Sequence, residues 1–253
     1  MKAIRLDKFL ADMQIGTRSE VKQLLKKGLV TVNGEPVKKP EIKIDPAIDR
    51  VCFDGRQLYF EQNVYYLLNK PAGVVSATED RKERTVLDLF SKEDHRPDLF
   101  PVGRLDKDTV GLLLITNDGA LAHRLLSPRH HVDKTYQVKV EGTITIDTVK
   151  AFAEGLDIGD DKPTLPAILK PLFSDDQSDS AQAEFEAGTR STCEALVTIQ
   201  EGRFHQIKRM FHKTGSEVVY LKRLSMGSLS LDESIPEGSY RRLTSEECRQ
   251  LKG

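Results

Sequence analysis

Two carboxylates stand two residues apart in Gly103-Arg104-Leu105-Asp106-Lys107-Asp108, just ahead of the apolar run Leu112-Leu113-Leu114-Ile115. An ionised carboxylate can attack an electrophilic carbon or take a proton without a metal, provided a cation offsets the penalty of its burial. Read alone, an Asp beside a strand is a cap or turn residue, and spacing does not separate Asp106 from Asp108. Farther on, the stretch from Arg203 to Arg223 holds six cations (Arg203, Lys208, Arg209, Lys213, Lys222, Arg223) against Glu217. That excess suits a phosphate backbone. Other chemistries find no support. The histidines, including His123, His130-His131, His205 and His212, form no cluster with metal-ligand spacing and read as exposed or RNA-facing side chains. Cys52, Cys193 and Cys248 lie far apart and read as reduced packing residues. There is no glycine-rich dinucleotide or P-loop motif and no GxSxG elbow, so neither cofactor nor metal is expected.

The elements that must hold these residues change character along the chain. Leu6, Phe9, Leu10 and Met13 recur at helical spacing, and so do Val21, Leu24 and Leu25 after Thr17, which with Glu20 makes a capping box. Gly28 ends the second helix, and Val30, Val32, Asn33-Gly34 and Val37 read as a tight hairpin. A further strand near Arg50 to Phe53 and a turn at Asp54-Gly55 close this ααββ unit, and Tyr59 to Asn63 reads as the linker. From Val64 the run Val64-Tyr65-Tyr66-Leu67-Leu68 suits a buried strand, ended by Pro71-Ala72-Gly73. Further strands are expected at Leu112–Thr116, Tyr136–Val140, Ala183–Phe185, Ala195–Ile199 and Val218–Leu221. Helices are expected at Ala120–Leu126 (Asp118 as N-cap), Thr148–Glu154 and His205–Lys213. Ser174–Ser180 reads as a solvated loop. Without a regular βαβ repeat, the fold class is α+β with a largely antiparallel, mixed sheet flanked by helices.

A chain of 253 residues with 38% hydrophobic content supports two cores, predicting domains at 1–60 and 61–253. The net charge of −1 conceals an asymmetry. Residues 1–43 carry ten basic against five acidic side chains, and residues 154–186 carry nine acidic against two lysines. A basic face and a solvated acidic back follow. No stretch approaches the roughly 20 apolar residues of a membrane span, and the N-terminus lacks a signal-peptide core, so a cytoplasmic protein is expected.

Two resemblances add to this reading. Arg5-Leu6-Asp7-Lys8-Phe9-Leu10, Thr17-Arg18-Ser19-Glu20 and Gly28-Leu29-Val30-Thr31-Val32-Asn33-Gly34 resemble the S4 RNA-binding domain, which implies Arg5, Lys8, Arg18, Lys22 and Lys26 as backbone contacts. Such modules serve proteins of many functions. Gly103-Arg104-Leu105-Asp106 with Thr109, Gly111-Leu112-Leu113-Leu114 and Thr116-Asn117-Asp118-Gly119 resembles the catalytic motif of pseudouridine synthases. Asn69-Lys70-Pro71-Ala72-Gly73, Lys134-Thr135-Tyr136 and Glu201-Gly202-Arg203-Phe204-His205-Gln206-Ile207-Lys208-Arg209-Met210 follow in that family's order.

The resemblance implies Asp106 as nucleophile, Lys208 as its cation and Tyr136 as a ring against the target uracil. It implies Ile207 and Leu221 as pocket walls, and Arg104 as the side chain that fills the space left by an extruded base. Within the family the chain is most similar to the small-subunit (RsuA-type) branch. That branch implies a monomer acting on small-subunit ribosomal RNA or an assembling particle, at uridine 516. The alternatives are a large-subunit rRNA enzyme of the same family and, from other classes, a non-catalytic S4 assembly factor or an S4-linked methyltransferase. The Asp-Tyr-Lys set argues against the assembly factor, and the missing cofactor loop against the methyltransferase.

Overall fold

The computed structural model describes residues 3–13, 15–58, 63–173, 179–188 and 190–252, and it divides into two compact units, 1–62 and 63–253. Most of the expected linker and most of the loop expected at Ser174–Ser180 lie outside the described residues.

In the first unit, strand β1 (Ile4–Arg5) leads into helices α1 (Leu6–Asp12) and α2 (Arg18–Lys26). The capping box is present, with Thr17 accepting from the Glu20 backbone and Glu20 from the Thr17 backbone. Then come β2 (Val30–Val32), β3 (Glu35–Pro36), β4 (Lys43–Ile44), β5 (Val51–Phe53) and β6 (Arg56–Gln57). Asn33 and Gly34 both take positive φ, 54° and 89°, as a two-residue hairpin turn with the twist of its strands requires. Leu6, Phe9, Leu10, Val21, Leu25, Val30, Ile44 and Val51 form the core.

The second unit contains β7 (Tyr65–Lys70), β8 (Phe100–Pro101), β9 (Val110–Thr116), α3 (Gly119–Leu126), β10 (Lys134–Ile144), α4 (Ile146–Glu154) and β11 (Ile168–Leu172). It continues with α5 (Asp179–Glu186), β12 (Thr192–Ile199), α6 (Gln206–Lys213), β13 (Glu217–Met226), β14 (Leu229–Ser230), β15 (Tyr240–Arg242) and α7 (Ser245–Lys252). One sheet runs β11-β12-β10-β13-β9-β7-β15, with β14 on β13 and β8 on β9. Every pairing is antiparallel except β13 with β9, so the fold is α+β with a mixed, mostly antiparallel sheet.

β7 and β9 are buried on both faces, which explains their continuous apolar runs. Tyr66, Leu68, Leu113 and Ile115 face one core with Phe152 of α4 and Phe211 of α6. Tyr65, Leu67, Leu112 and Leu114 face the other with Leu121 and Leu125 of α3 and Leu251 of α7. At the parallel seam the backbones nearly touch. A Cβ on Gly111 would lie 2.3 Å from the Arg223 carbonyl oxygen, and φ there is +96°, so only glycine fits.

One expected strand is wrong. Ala183–Phe185 lies inside helix α5, because Ala181 and Phe185, four residues apart, are the buried positions. Alternation over three residues carries too little periodicity to distinguish the two. β11, β15 and α7 were not foreseen.

Candidate active site

The Asp106 loop enters β9 at that parallel seam and is fastened from beneath. Ser76 Oγ accepts from the Leu105 N–H at 3.0 Å and donates to the Leu105 carbonyl at 2.9 Å. Gly73 N–H donates to the Lys107 carbonyl at 2.8 Å. Lys70, fully buried at the end of β7, sends its ammonium to the carbonyls of Thr109 (2.8 Å), Asp106 (3.0 Å) and Pro71 (3.1 Å). Burial lowers the Lys70 pKa to about 8, against the opposing charges of Asp108 and Asp106.

The Asp106 carboxylate is part-exposed and faces two cationic candidates. Lys208 of α6 has its Nζ 3.4 Å from Oδ2, and His205 has its Nε2 3.6 Å from Oδ1. Lys208 is held harder by Asp108, at 2.6 and 2.8 Å. Partial burial works to raise the Asp108 carboxyl, but hydrogen bonds and charge from Lys208 outweigh it and hold it below the ordinary range. One ammonium thus serves both carboxylates.

Asp106 borders a cavity of about 90 Å³ that Arg104, Tyr136, Ile207, Lys208 and Leu221 also line. These residues come from the loop, β10, α6 and β13, separated by up to 117 positions in the chain, from Arg104 to Leu221. Tyr136, Ile207 and Leu221 are buried, while Arg104 is exposed at the mouth. Apolar walls, one phenol and one carboxylate beside a shared cation suit a flat, uncharged heterocycle attacked at carbon.

Two protein families match the chain. The RNA pseudouridylate synthase profile matches residues 64–213, and the S4 domain profile matches residues 4–47. The chain belongs to the RNA pseudouridylate synthase family. It is 43% identical to the uncharacterized RNA pseudouridine synthase YtzG of Bacillus subtilis (strain 168), over 98% of each chain. It is 41% identical to the ribosomal small subunit pseudouridine synthase A of Yersinia pestis over 98% of each chain. It is also 39% identical to the protein of that name in Escherichia coli (strain K12), over 98% of this chain and all of that one. A crystal structure of a pseudouridylate synthase, 37% identical, superposes with a TM-score of 0.65 over 98% of this chain and 99% of the other.

In this pseudouridine synthase, the other implied residues lie in the S4 unit. Arg18, Lys22 and Lys26, four residues apart, form one exposed stripe of α2 alongside the buried Val21 and Leu25, and Lys8 is exposed on α1. Arg5 is exposed as well and is bound to the buried carboxylate of Asp7 at 2.8 and 3.0 Å.

The basic stretch from Arg203 to Arg223 is less open than its composition implies. Asp160, from the acidic segment read as solvated, pairs with both Arg209 and Arg203, and its carboxyl is held below the usual range chiefly by Arg209. Arg223 is buried and donates to the Leu112 carbonyl at 2.7 Å.

No role for Lys70 or Ser76 was expected from the sequence, and His205 was expected only as an exposed or RNA-facing side chain. One signal was present for Lys70: a cation ending an otherwise apolar strand, directly before a proline breaker, has to find carbonyl partners.

Proposed function

We propose that the enzyme isomerises one uridine of small-subunit ribosomal RNA, uridine 516, with Asp106 as the nucleophile, and that it works as a cytoplasmic monomer. The observation that carries the site assignment is the placement of Asp106 at the wall of the Tyr136–Ile207–Leu221 cavity, 3.4 Å from the Lys208 ammonium. The small-subunit assignment is supported by relatives bearing that name at about 40% identity across nearly the whole chain.

The reaction is redox-neutral and balances without a co-reactant. The N1–C1′ bond breaks, the uracil turns in place, a C5–C1′ bond forms, C5 loses its proton and N1 ends with one. Asp106 supplies the carboxylate. Lys208 keeps negative charge tolerable at the cavity wall, Tyr136 stacks on the base with its phenol near the proton to be moved, and Ile207 and Leu221 exclude water. Arg104 enters the gap that the extruded nucleotide leaves. In the S4 unit, Lys8, Arg18, Lys22 and Lys26 engage phosphates and orient the RNA without reading its sequence. Among the described residues no helix is long and apolar enough to cross a membrane.

Tritium release from C5-labelled uridine in transcribed ribosomal RNA tests the activity. Carbodiimide primer extension on rRNA from a strain lacking the protein tests the target, with loss of one small-subunit pseudouridine as the expected result. Loss of a large-subunit site would overturn the target and leave the chemistry in place.

A further inference from the structure

Among the described residues five large apolar side chains stand exposed, and Phe204, 76% exposed beside the catalytic cavity, is the one aromatic among them. One face of its ring is covered. The His205 imidazole stacks on it with centroids 3.8 Å apart and planes 16° from parallel. The other face is open, and the residues on either side of it in the chain, Arg203 and His205, both line the cavity.

The exposure does not come from a loose turn. Arg203 N–H donates to Gln206 Oε1 at 3.0 Å, and the Arg203 guanidinium grips the Lys162 and Pro163 carbonyls at 2.6 and 2.7 Å. Arg209 holds the Phe204 carbonyl at 3.1 Å. His205 sits in the left-handed region, φ 49° and ψ 33°, a conformation that few non-glycine residues adopt and that concentrates at functional sites. That backbone sets the imidazole between the Phe204 ring and Asp106, 3.6 Å from its Oδ1.

We infer that the Phe204–His205 stack is a binding platform for an unpaired nucleobase, the one next in the chain to the uridine being isomerised. The inference rests on the proposed function. A cavity of about 90 Å³ takes a single base, so both chain neighbours of an extruded uridine stay outside at its mouth. Extrusion removes a stacking partner from each neighbour; Arg104 in the gap covers one of the two, and the other keeps a bare π-face. Phe204 offers a rigid aromatic face in exchange, continuing the order His205, Phe204, base. Every nucleobase has such a face, so the platform stabilises the extruded state without selecting sequence.

The test combines protein and RNA changes on a small-subunit rRNA fragment carrying the target uridine. Affinity is measured by filter binding, and turnover by tritium release. Phe204→Ala should raise Kd and KM about tenfold with kcat kept within about twofold, Phe204→Leu should be as weak, and Phe204→Tyr should restore wild-type values. An abasic nucleotide on one flank of the target should weaken the wild type by a similar factor and have little further effect on Phe204→Ala. Unchanged affinity of Phe204→Ala, or losses that multiply for both flanks, would overturn the platform. Absence of tritium release by the wild type, with the binding pattern intact, would overturn the proposed function and leave the platform standing.

Discussion

Lys208 lies 2.6 and 2.8 Å from the two carboxylate oxygens of Asp108 and 3.4 Å from the nearer oxygen of Asp106. Asp108 is the more exposed carboxylate and anchors the ammonium, whereas Asp106 borders the cavity. A cation tied on its solvent side keeps its position whether or not a base is present, which is the preorganisation that the part-exposed carboxylate proposed as nucleophile needs.

The two carboxylates should therefore respond differently to the same change. Asp106→Asn should abolish tritium release while keeping RNA affinity within a few-fold, since the amide is nearly isosteric but not nucleophilic. Asp108→Asn should lose no more than about tenfold in kcat, because an amide oxygen still accepts from Lys208. Equal losses would remove the distinction drawn between them. Lys208→Met should be severely impaired, and the Asp108 carboxyl should titrate higher in it by carbon NMR, since the lowering partner is gone and the raising effect of burial remains.

Lys70 yields a stability prediction with a defined sign. Its pKa is lowered by burial from 10.5 to about 8. Between those values the unfolded chain keeps the proton that the folded chain has lost, so the folded state gains as pH rises through the window. Below pH 8 both states are protonated and the full penalty of the buried charge is present. In urea melts the wild type should gain on the order of 3 kcal/mol relative to Lys70→Met across the window. A pH-independent difference would refute this. At neutral pH the same variant leaves the Asp106 and Thr109 carbonyls without their donor and frees the loop, so kcat should fall by about 100-fold.

Gly111→Ala should destabilise the catalytic unit by about 3 kcal/mol or more, read as a lower urea midpoint, because the new methyl meets the Arg223 carbonyl and the backbone there disfavours any side chain. A wild-type midpoint would mean that the β9–β13 seam yields more easily than its spacing implies.

For the S4 unit, replacing Arg18, Lys22 and Lys26 together with Ala should flatten the slope of log affinity against log salt by about 2 to 3. Deleting residues 1–60 should flatten it further, and the remainder, with cores of its own on both sheet faces, should still fold. An unchanged salt slope in either variant would exclude phosphate contact by this module.

Local pattern determined a good deal of this protein. The Thr17–Glu20 capping box, the Asn33-Gly34 turn, the Asp118 cap of α3 and the buried strand β7 all rest on interactions within a few residues or on an apolar run, and these are visible in one dimension. Where three residues carried the pattern, as at Ala183–Phe185, helix and strand could not be told apart. Motif order pointed to Asp106, Tyr136 and Lys208. It did not reveal that Lys208 is tied to Asp108, that Asp160 occupies Arg203 and Arg209, or that Lys70 fastens the Asp106 loop by its carbonyls. Those contacts join residues between 36 and 100 positions apart. Charge in a sequence records which groups exist, and only the packed sheet and helices decide which of them meet, since an ion pair or a buried ammonium depends on distances that no local spacing encodes.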